Sequence, residues 1–241
     1  LLASIATGFV RDQEELENFI GSTFYSFQGE AWTIMHFVDE VKDFLVIEDL
    51  VECKDETFIP TRFGRLVSNL YLDPLSASRM RHAMERAVDI ETVPTISFLQ
   101  AICQTPDMHL LYLRKSDNDW VYGLLEENDG FWLNDPYDKS NSYEFLAALK
   151  TSALINDWIE ERSEDSICKK FGIGPGDIRN KVDTASWLLH GAVELSRIFC
   201  PGTTSNLQEL RARVDSGIRR ELLPLVCLLY TSPSPRDRTR S

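Results

Sequence analysis

Residues 167–200 read ICKKFGIGPGDIRNKVDTASWLLHGAVELSRIFC, and this stretch decides the fold. A short apolar run ends at Phe171, a Gly-x-Gly-Pro corner follows, and Pro175 opens a segment with no further breaker until Pro201-Gly202. Proline is tolerated at the first position of a helix and stops one elsewhere, so the spacing predicts one long helix from Pro175 to about Phe199. Ile178, Val182, Ala185, Leu189, Ala192 and Ile198 fall on one stripe at helical spacing. The opposite face carries Asn180, Asp183, Thr184, Trp187, His190 and Glu194. Trp187 therefore sits among polar neighbours, with Arg179 and Lys181 one to two turns earlier. An aromatic face with basic flanks suits an unpaired nucleic-acid strand, because every base has a face to stack and every nucleotide a phosphate. Covering of Trp187 by a neighbouring helix is the structural alternative. The corner before the helix is shaped like a helix-turn-helix, a weak signal in itself.

Outward from this segment the pattern stays helical. Toward the C-terminus, helices are expected over about Thr204–Val214 and Ser216–Cys227. On the other side, Ser76–Val88, Thr95–Gln104, Tyr143–Glu160 and Glu164–Phe171 carry apolar residues three and four apart. Residues 105–142 mix signals and are expected to hold short helices and a long connection. Nearer the N-terminus, Asp12 caps a helix running to about Phe27, with Leu16, Phe19, Ile20 and Phe24 on its stripe. A second stripe, Ile34, Phe37, Val38, Val41, Phe44 and Leu45, lies within 31–48. Two β-leaning runs, Leu50–Cys53 and Thr57–Pro60, flank the turn Lys54-Asp55-Glu56. Thr61–Leu72 then reads as a helix with Phe63, Leu66, Val67, Leu70 and Tyr71 inward, ended by Asp73-Pro74. Helix, helix, hairpin, helix is winged-helix-like, although a wing usually comes last.

The chain has 241 residues, 43% of them hydrophobic, enough for one or two cores and incompatible with global disorder. No apolar run approaches the roughly 20 residues that span a bilayer. Five cysteines, odd in number and never in a CxxC pair, argue against a disulfide framework or zinc ribbon and fit a reduced cytosolic setting. The opening lacks the features of a secretory signal, and Leu1 suggests an N-terminus cut from a longer protein. The last residues, TSPSPRDRTRS, contain no apolar side chain and are expected to be disordered; from about Leu229 the string resembles translated sequencing-adapter read-through.

A net charge of −13 weighs against a general nucleic-acid binder, but it is uneven. Residues 1–75 carry 5 basic and 14 acidic side chains, 76–175 carry 10 and 17, and 176–220 carry 7 and 5. Phosphate is expected only in the last of these stretches, the one around Trp187. Catalytic signals are absent: the sequence has no GxxxxGK[ST] phosphate loop and no acidic tetrad for magnesium, and its four histidines lack metal-ligand spacing.

Four segments, IPTRFGRLVSNLYLDP (59–74), ICQTPDM (102–108), LKTSALINDWIEERSEDSICKKFGIGPGDIRNKVDTASWL (149–188) and SGIRRELLPLV (216–226), closely resemble the C-terminal half of the archaeal superfamily 2 DNA repair helicases, relatives of the helicase part of polymerase theta. The resemblance runs in order from about residue 8 to 228. It implies a mainly α fold with a winged-helix domain over 1–74, including a small β wing, and a seven-helix ratchet domain over 75–222. It further implies the start of a truncated helix-hairpin-helix domain at 223–228 and a non-native tail at 229–241. The implied function is that of an accessory fragment of an ATP-dependent 3′ to 5′ helicase in replication-fork repair. ATP and magnesium belong to RecA-like motor domains expected in cis, so the fragment has no cofactor of its own, no catalytic or metal residues, and no activity alone. The implied partners are single-stranded and forked DNA in the cytoplasm, with no membrane. Trp187 matches the family's stacking tryptophan and Arg179 a basic position on the same helix. Asn180 stands where relatives can have a DNA-contacting arginine, a departure that either passes that contact to Arg179 or Lys181 or weakens it; Asp183 and His190 complete the expected DNA-binding face. The alternatives are a winged-helix regulator with a helical dimerisation domain, for which Thr61–Leu72 offers only Arg62 and Arg65, and an interaction bundle without nucleic acid.

Overall fold

The computed structural model describes residues 1–22, 31–138 and 141–225. Its described part is mainly helical with a single two-stranded hairpin, as the sequence pattern predicts. The chain divides into two compact units, Leu1–Ser78 and the residues from Arg79 onward.

The first unit begins with α1 (Leu2–Ala6), which burial of Leu2 and Ile5 fixes and which no capping signal announces. Asp12 then caps α2 (Gln13–Gly21), its side chain accepting from the Glu15 amide at 2.8 Å. The part of the expected first helix beyond Ser22 lies outside the described residues. After α3 (Ala31–Ile47) come β1 (Val51–Lys54) and β2 (Thr57–Pro60), paired antiparallel with Val51 opposite Pro60 and Lys54 opposite Thr57. Asp55 and Glu56 both take positive φ, 48° and 62°, the geometry a two-residue hairpin turn needs to follow strand twist. A β-bridge joins Asp12 to Thr57, so the order is helix, bridge, two helices, hairpin. Among the described residues the hairpin thus follows three helices, of which α1 is one that the sequence pattern left out.

Within this unit the apolar stripe of α3 is only partly inward: Leu45 is buried, whereas Phe37 and Val41 are exposed. In α4 (Arg62–Asn69), Thr61 accepts from the Gly64 amide at 2.9 Å as N-cap, and Phe63 and Val67 are buried. The helix ends earlier than its periodicity suggests. Tyr71 adopts φ 57° and is 88% exposed, so it is not a core residue; the turn hands the inward position to buried Leu72.

The second unit packs the part of α5 (Pro74–Ala87) from Arg79 onward, α6 (Thr95–Cys103), α7 (Asn118–Glu127), α8 (Ser142–Ile159), α9 (Glu164–Phe171), α10 (Pro175–Phe199) and α11 (Thr204–Ser216). α8 is its axis, buried along most of its length and packed on α6, α7, α9, α10 and α11. One apolar cluster joins Val121 and Leu125 of α7 to Phe145, Leu146 and Leu149 of α8 and to Trp132, whose indole N–H donates to the Leu125 carbonyl at 3.1 Å. The expected helix over Ser216–Cys227 opens later than its spacing suggests: Gly217 is left-handed at φ 63° and ends α11, and a 3-10 turn, Arg220–Leu222, leads into helical residues 223–225, with 226 and 227 outside the described residues. The expectations for 226–241, including the disordered tail, fall outside the described residues.

A buried ionic knot fastens the 111–117 connection to this axis. Lys150 and Asp117, each almost fully buried, meet at 2.6 Å, and the Lys150 ammonium also donates to the Tyr112 carbonyl at 2.8 Å. Asp117 accepts in addition from the Arg114 amide at 2.8 Å and from its guanidinium at 3.1 and 3.2 Å. Burial alone would raise the Asp117 pKa; the hydrogen bonds from Arg114 and Lys150 outweigh it and hold the carboxyl well below the usual carboxylate range. Arg114 then donates to the Lys170 carbonyl at 3.1 Å, in the last turn of α9.

Candidate nucleic-acid interface

The corner between α9 and α10 is built by residue type. Ser163 caps α9, Glu164 and Asp165 sit in its first turn, and Lys169 and Lys170 sit in its last, each charge matching the helix dipole. Gly172 adopts φ 69°, ψ 47°, and a Cβ there would lie 2.2 Å from an Arg114 nitrogen. Glycine meets both demands without strain or displacement of Arg114. The Asp177 carboxylate accepts from the Gly174 amide at 2.9 Å, and Pro175 launches α10, roughly 37 Å long at 1.5 Å per residue.

Along α10, Ile178, Val182, Ala185, Leu188, Leu189 and Ala192 are buried. Arg179, Asn180 and Asp183 are exposed on the first turns, while Trp187 and His190 are half-buried further along. Arg179 pairs with Asp183 at 3.1 Å across one turn, both well solvated. Such exposed pairs are worth about 0–1 kcal/mol, so an incoming phosphate competes readily for the guanidinium. Trp187 is neither fully exposed nor sealed in the core, which corrects the expectation of an indole standing wholly among solvated neighbours.

Lys181 departs from its expected place. It is 8% exposed and its pKa is lowered by burial, against which Asp177 and Cys103 act to raise it. The side chain thus lies away from the exposed Arg179, Asn180 and Asp183. Cys103 is buried as well, and burial pushes its thiol far above the ordinary range, so it is not a nucleophile.

His190 is engaged by α11: an Arg211 guanidinium nitrogen lies 3.0 Å from its Nδ1, and Ser186 hydrogen-bonds Asp215. Sequence reading did not single out Ser186 or Asp215, and it counted Arg211 only as a basic residue. The signal was present in the short 200–203 connection, which forces α10 and α11 into an antiparallel hairpin. His190 and Arg211, and likewise Ser186 and Asp215, are equidistant from the Cys200–Pro201 bond.

The basic excess of 176–220 is locally balanced. Arg179, Arg197, Arg211, Arg213, Arg219 and Arg220 each lie within 4 Å of a carboxylate, at distances from 2.7 to 3.8 Å. A strand meeting this surface gains from stacking and local hydrogen bonds more than from a broad positive field. Among the described residues no group of three or more His, Cys, Asp or Glu side chains is arranged to hold a metal, and no helix is long and apolar enough to cross a membrane.

Among the described residues, the longest helix of this mainly α chain, α10, carries a half-buried tryptophan on the face that also holds Arg179 and Asn180 one to two turns earlier. Residues 96–217, just over half the sequence, match the family model "Archaeal helicase, domain 4", and the chain belongs to that family. Similar curated proteins include three described as ATP-dependent DNA helicase Hel308. The one from Methanocella arvoryzae is 38% identical over 94% of this chain and 31% of its own length. Those from Methanocaldococcus jannaschii and Thermococcus kodakarensis are 34% and 32% identical over 95% of this chain, and 18% and 21% of their own. The chain therefore spans about a fifth to a third of the length of these relatives.

Proposed function

We propose that this chain is the accessory, strand-gripping part of an ATP-dependent 3′ to 5′ DNA helicase acting on single-stranded and forked DNA in the cytoplasm, in replication-fork repair. The motor is in cis: ATP and magnesium bind in RecA-like domains outside this sequence, and these residues alone do not hydrolyse ATP. Residues 1–74 are the winged-helix domain and 75–222 the ratchet domain. The observation that carries the reading is the row Arg179, Asn180, Asp183 and Trp187 on α10, inside the segment that matches the archaeal helicase family. In this reading Trp187 stacks a base and Arg179 leaves Asp183 for a phosphate. Asn180 contributes a neutral amide contact, and His190 stays held by Arg211 at the far end of the row. Each ATP-driven step of the motor then advances the strand without slippage. Lys181 contributes through packing and not by touching the strand.

Stacking on an aromatic side chain is worth about 1–3 kcal/mol per base, or roughly 5- to 150-fold in affinity. Trp187→Ala is therefore expected to weaken binding of a labelled oligothymidylate by about tenfold or more in fluorescence anisotropy. Arg179→Ala should lower the slope of log affinity against log salt by about 0.7, the share of one phosphate contact on a single strand. Unchanged affinity in the Trp187 variant defeats the stacking role, and a preference for duplex over single strand defeats the ratchet reading in favour of a winged-helix regulator.

A further inference from the structure

Between α7 and α8, on the second unit, lies a groove of about 370 Å³ lined by Tyr122, Leu125, Pro136, Tyr137, Ser142 and Leu146. None of these belongs to the α10 face. Leu125 and Leu146 are buried, whereas Tyr122 and Tyr137 are 46% and 69% exposed, so aromatic rings that fill no core stand beside an apolar floor. Tyr137 is fixed in place: its amide donates to Asp135 Oδ1 at 2.9 Å and its hydroxyl to Asp129 Oδ1 at 3.2 Å. The surrounding charge is strongly negative, since residues 122–142 contain five carboxylates against one basic residue, Lys139. The field is felt at the phenol itself. The hydrogen bond that the hydroxyl donates to Asp129 and the charge of that carboxylate, with smaller contributions from burial and then Glu126 and Asp135, push the Tyr137 pKa up.

Exposed tyrosine faces ringed by carboxylates attract a cation on both counts, by the ring quadrupole and by charge, and repel phosphate. We infer that this groove docks a short basic segment of a partner protein, seating an aliphatic side chain on Leu125 and Leu146 and an arginine or lysine against Tyr122 and Tyr137. The occupant is a polypeptide and not a nucleic acid, because a strand would bring its phosphates to Glu126, Asp129 and Asp135. It is not an acidic copy of this chain, whose net charge is −13. The groove thus couples the module to a second protein on a surface built from residues that the strand-gripping face does not use.

The probe is a fluorescein-labelled peptide of alternating arginine and leucine, with a glutamate-for-arginine peptide as its match, titrated with the full chain in anisotropy. Tyr122→Ala, Tyr137→Ala and the doubly neutralised Glu126→Gln/Asp129→Asn are each expected to weaken the arginine peptide about fivefold or more, and the glutamate peptide is expected not to bind. All four positions are outside the buried core, and circular dichroism verifies the fold of each variant. Equal affinity of wild type and variants for the arginine peptide, its failure to bind, or equal binding of the glutamate peptide overturns the inference. So does a dimer seen in sedimentation that the tyrosine variants abolish, which makes a second copy the occupant. Loss of oligonucleotide binding in the same variants overturns it too, by making the groove a nucleic-acid site.

Discussion

Asp117→Ala is expected to destabilise the second unit by about 3–5 kcal/mol, the range seen when one partner of a buried ion pair is removed. The variant leaves the Lys150 ammonium almost fully buried with only the Tyr112 carbonyl to accept from it. It also releases Arg114, whose amide and guanidinium all donate to the same carboxylate. Lys150→Met should cost less, because Asp117 keeps its Arg114 donors and the methionine refills most of the volume. The order of the two variants in urea denaturation tests the assignment of Asp117 as the hub; a larger loss for Lys150→Met refutes it. The pH dependence has a definite sign. The folded pKa of Asp117 is depressed, so its contribution is complete above the unfolded value of roughly 3.9 and is lost as pH falls below it toward the folded value. Wild type is therefore expected to lose stability on acidification more steeply than Asp117→Asn, and parallel curves would remove the carboxylate from the account. Because Arg114 also holds the Lys170 carbonyl and lies against Gly172, amides of the α9–α10 corner should exchange faster in Asp117→Ala than in wild type.

Elements whose ends carry their own chemistry were legible in the sequence. α9 and α10 begin and end where Ser163, Gly172, Pro175 and Pro201 place them, since caps and breakers act within a few residues of chain. The hairpin was legible for the same reason. α1 was not, because five residues without a cap depend on burial against the rest of their unit. The break after α11 falls within a few residues of where the sequence puts it, but the next helical segment starts later than apolar spacing suggests, because left-handed Gly217 and the 3-10 turn Arg220–Leu222 come first.

The candidate site divides along the same line. Which residues share a helix face follows from a period of 3.6, so Asn180, Asp183 and Trp187 were found by counting, whereas Arg179, like Lys181, entered only as a basic flank. How deep each lies depends on partners distant in sequence. Lys181 is only one residue from exposed Asn180, yet that rotation of about 100° puts it on the buried side. The Lys150–Asp117 knot left no local trace at all: a lysine within an apolar helix and an aspartate 33 residues earlier look like two ordinary surface charges. The role proposed for α10 comes from the resemblance to the archaeal helicases, because spacing leaves it open between a stacking platform and a covered tryptophan.

Gly64→Ala is expected to be the most damaging single methyl group in the first unit. The Thr61 amide donates to the Leu50 carbonyl at 3.1 Å, and its hydroxyl donates to the Asp49 carbonyl at 2.6 Å, so the first turn of α4 lies directly on the backbone that enters β1. A Cβ on Gly64 would stand 1.9 Å from the Leu50 carbonyl oxygen and 2.9 Å from its carbon. Both obstacles are main chain, so no rotamer relieves them; α4 must move away, and the Thr61 bonds with it. Alanine gains about 1 kcal/mol of helix propensity over glycine, which opposes the clash but does not cancel it. Overpacking in a tight core costs about 1–3 kcal/mol and sometimes more, and a contact this short belongs at the upper end or beyond. The measurable outcome is a fall in the urea midpoint together with faster amide exchange across 50–70, while α8 and α10 exchange as in wild type. Gly123→Ala, where a Cβ meets nothing within 4 Å, is the matched control and should be neutral or slightly stabilising. If Gly64→Ala is as stable as that control, α4 does not approach Leu50 closely, and the packing described for the hairpin's root is wrong.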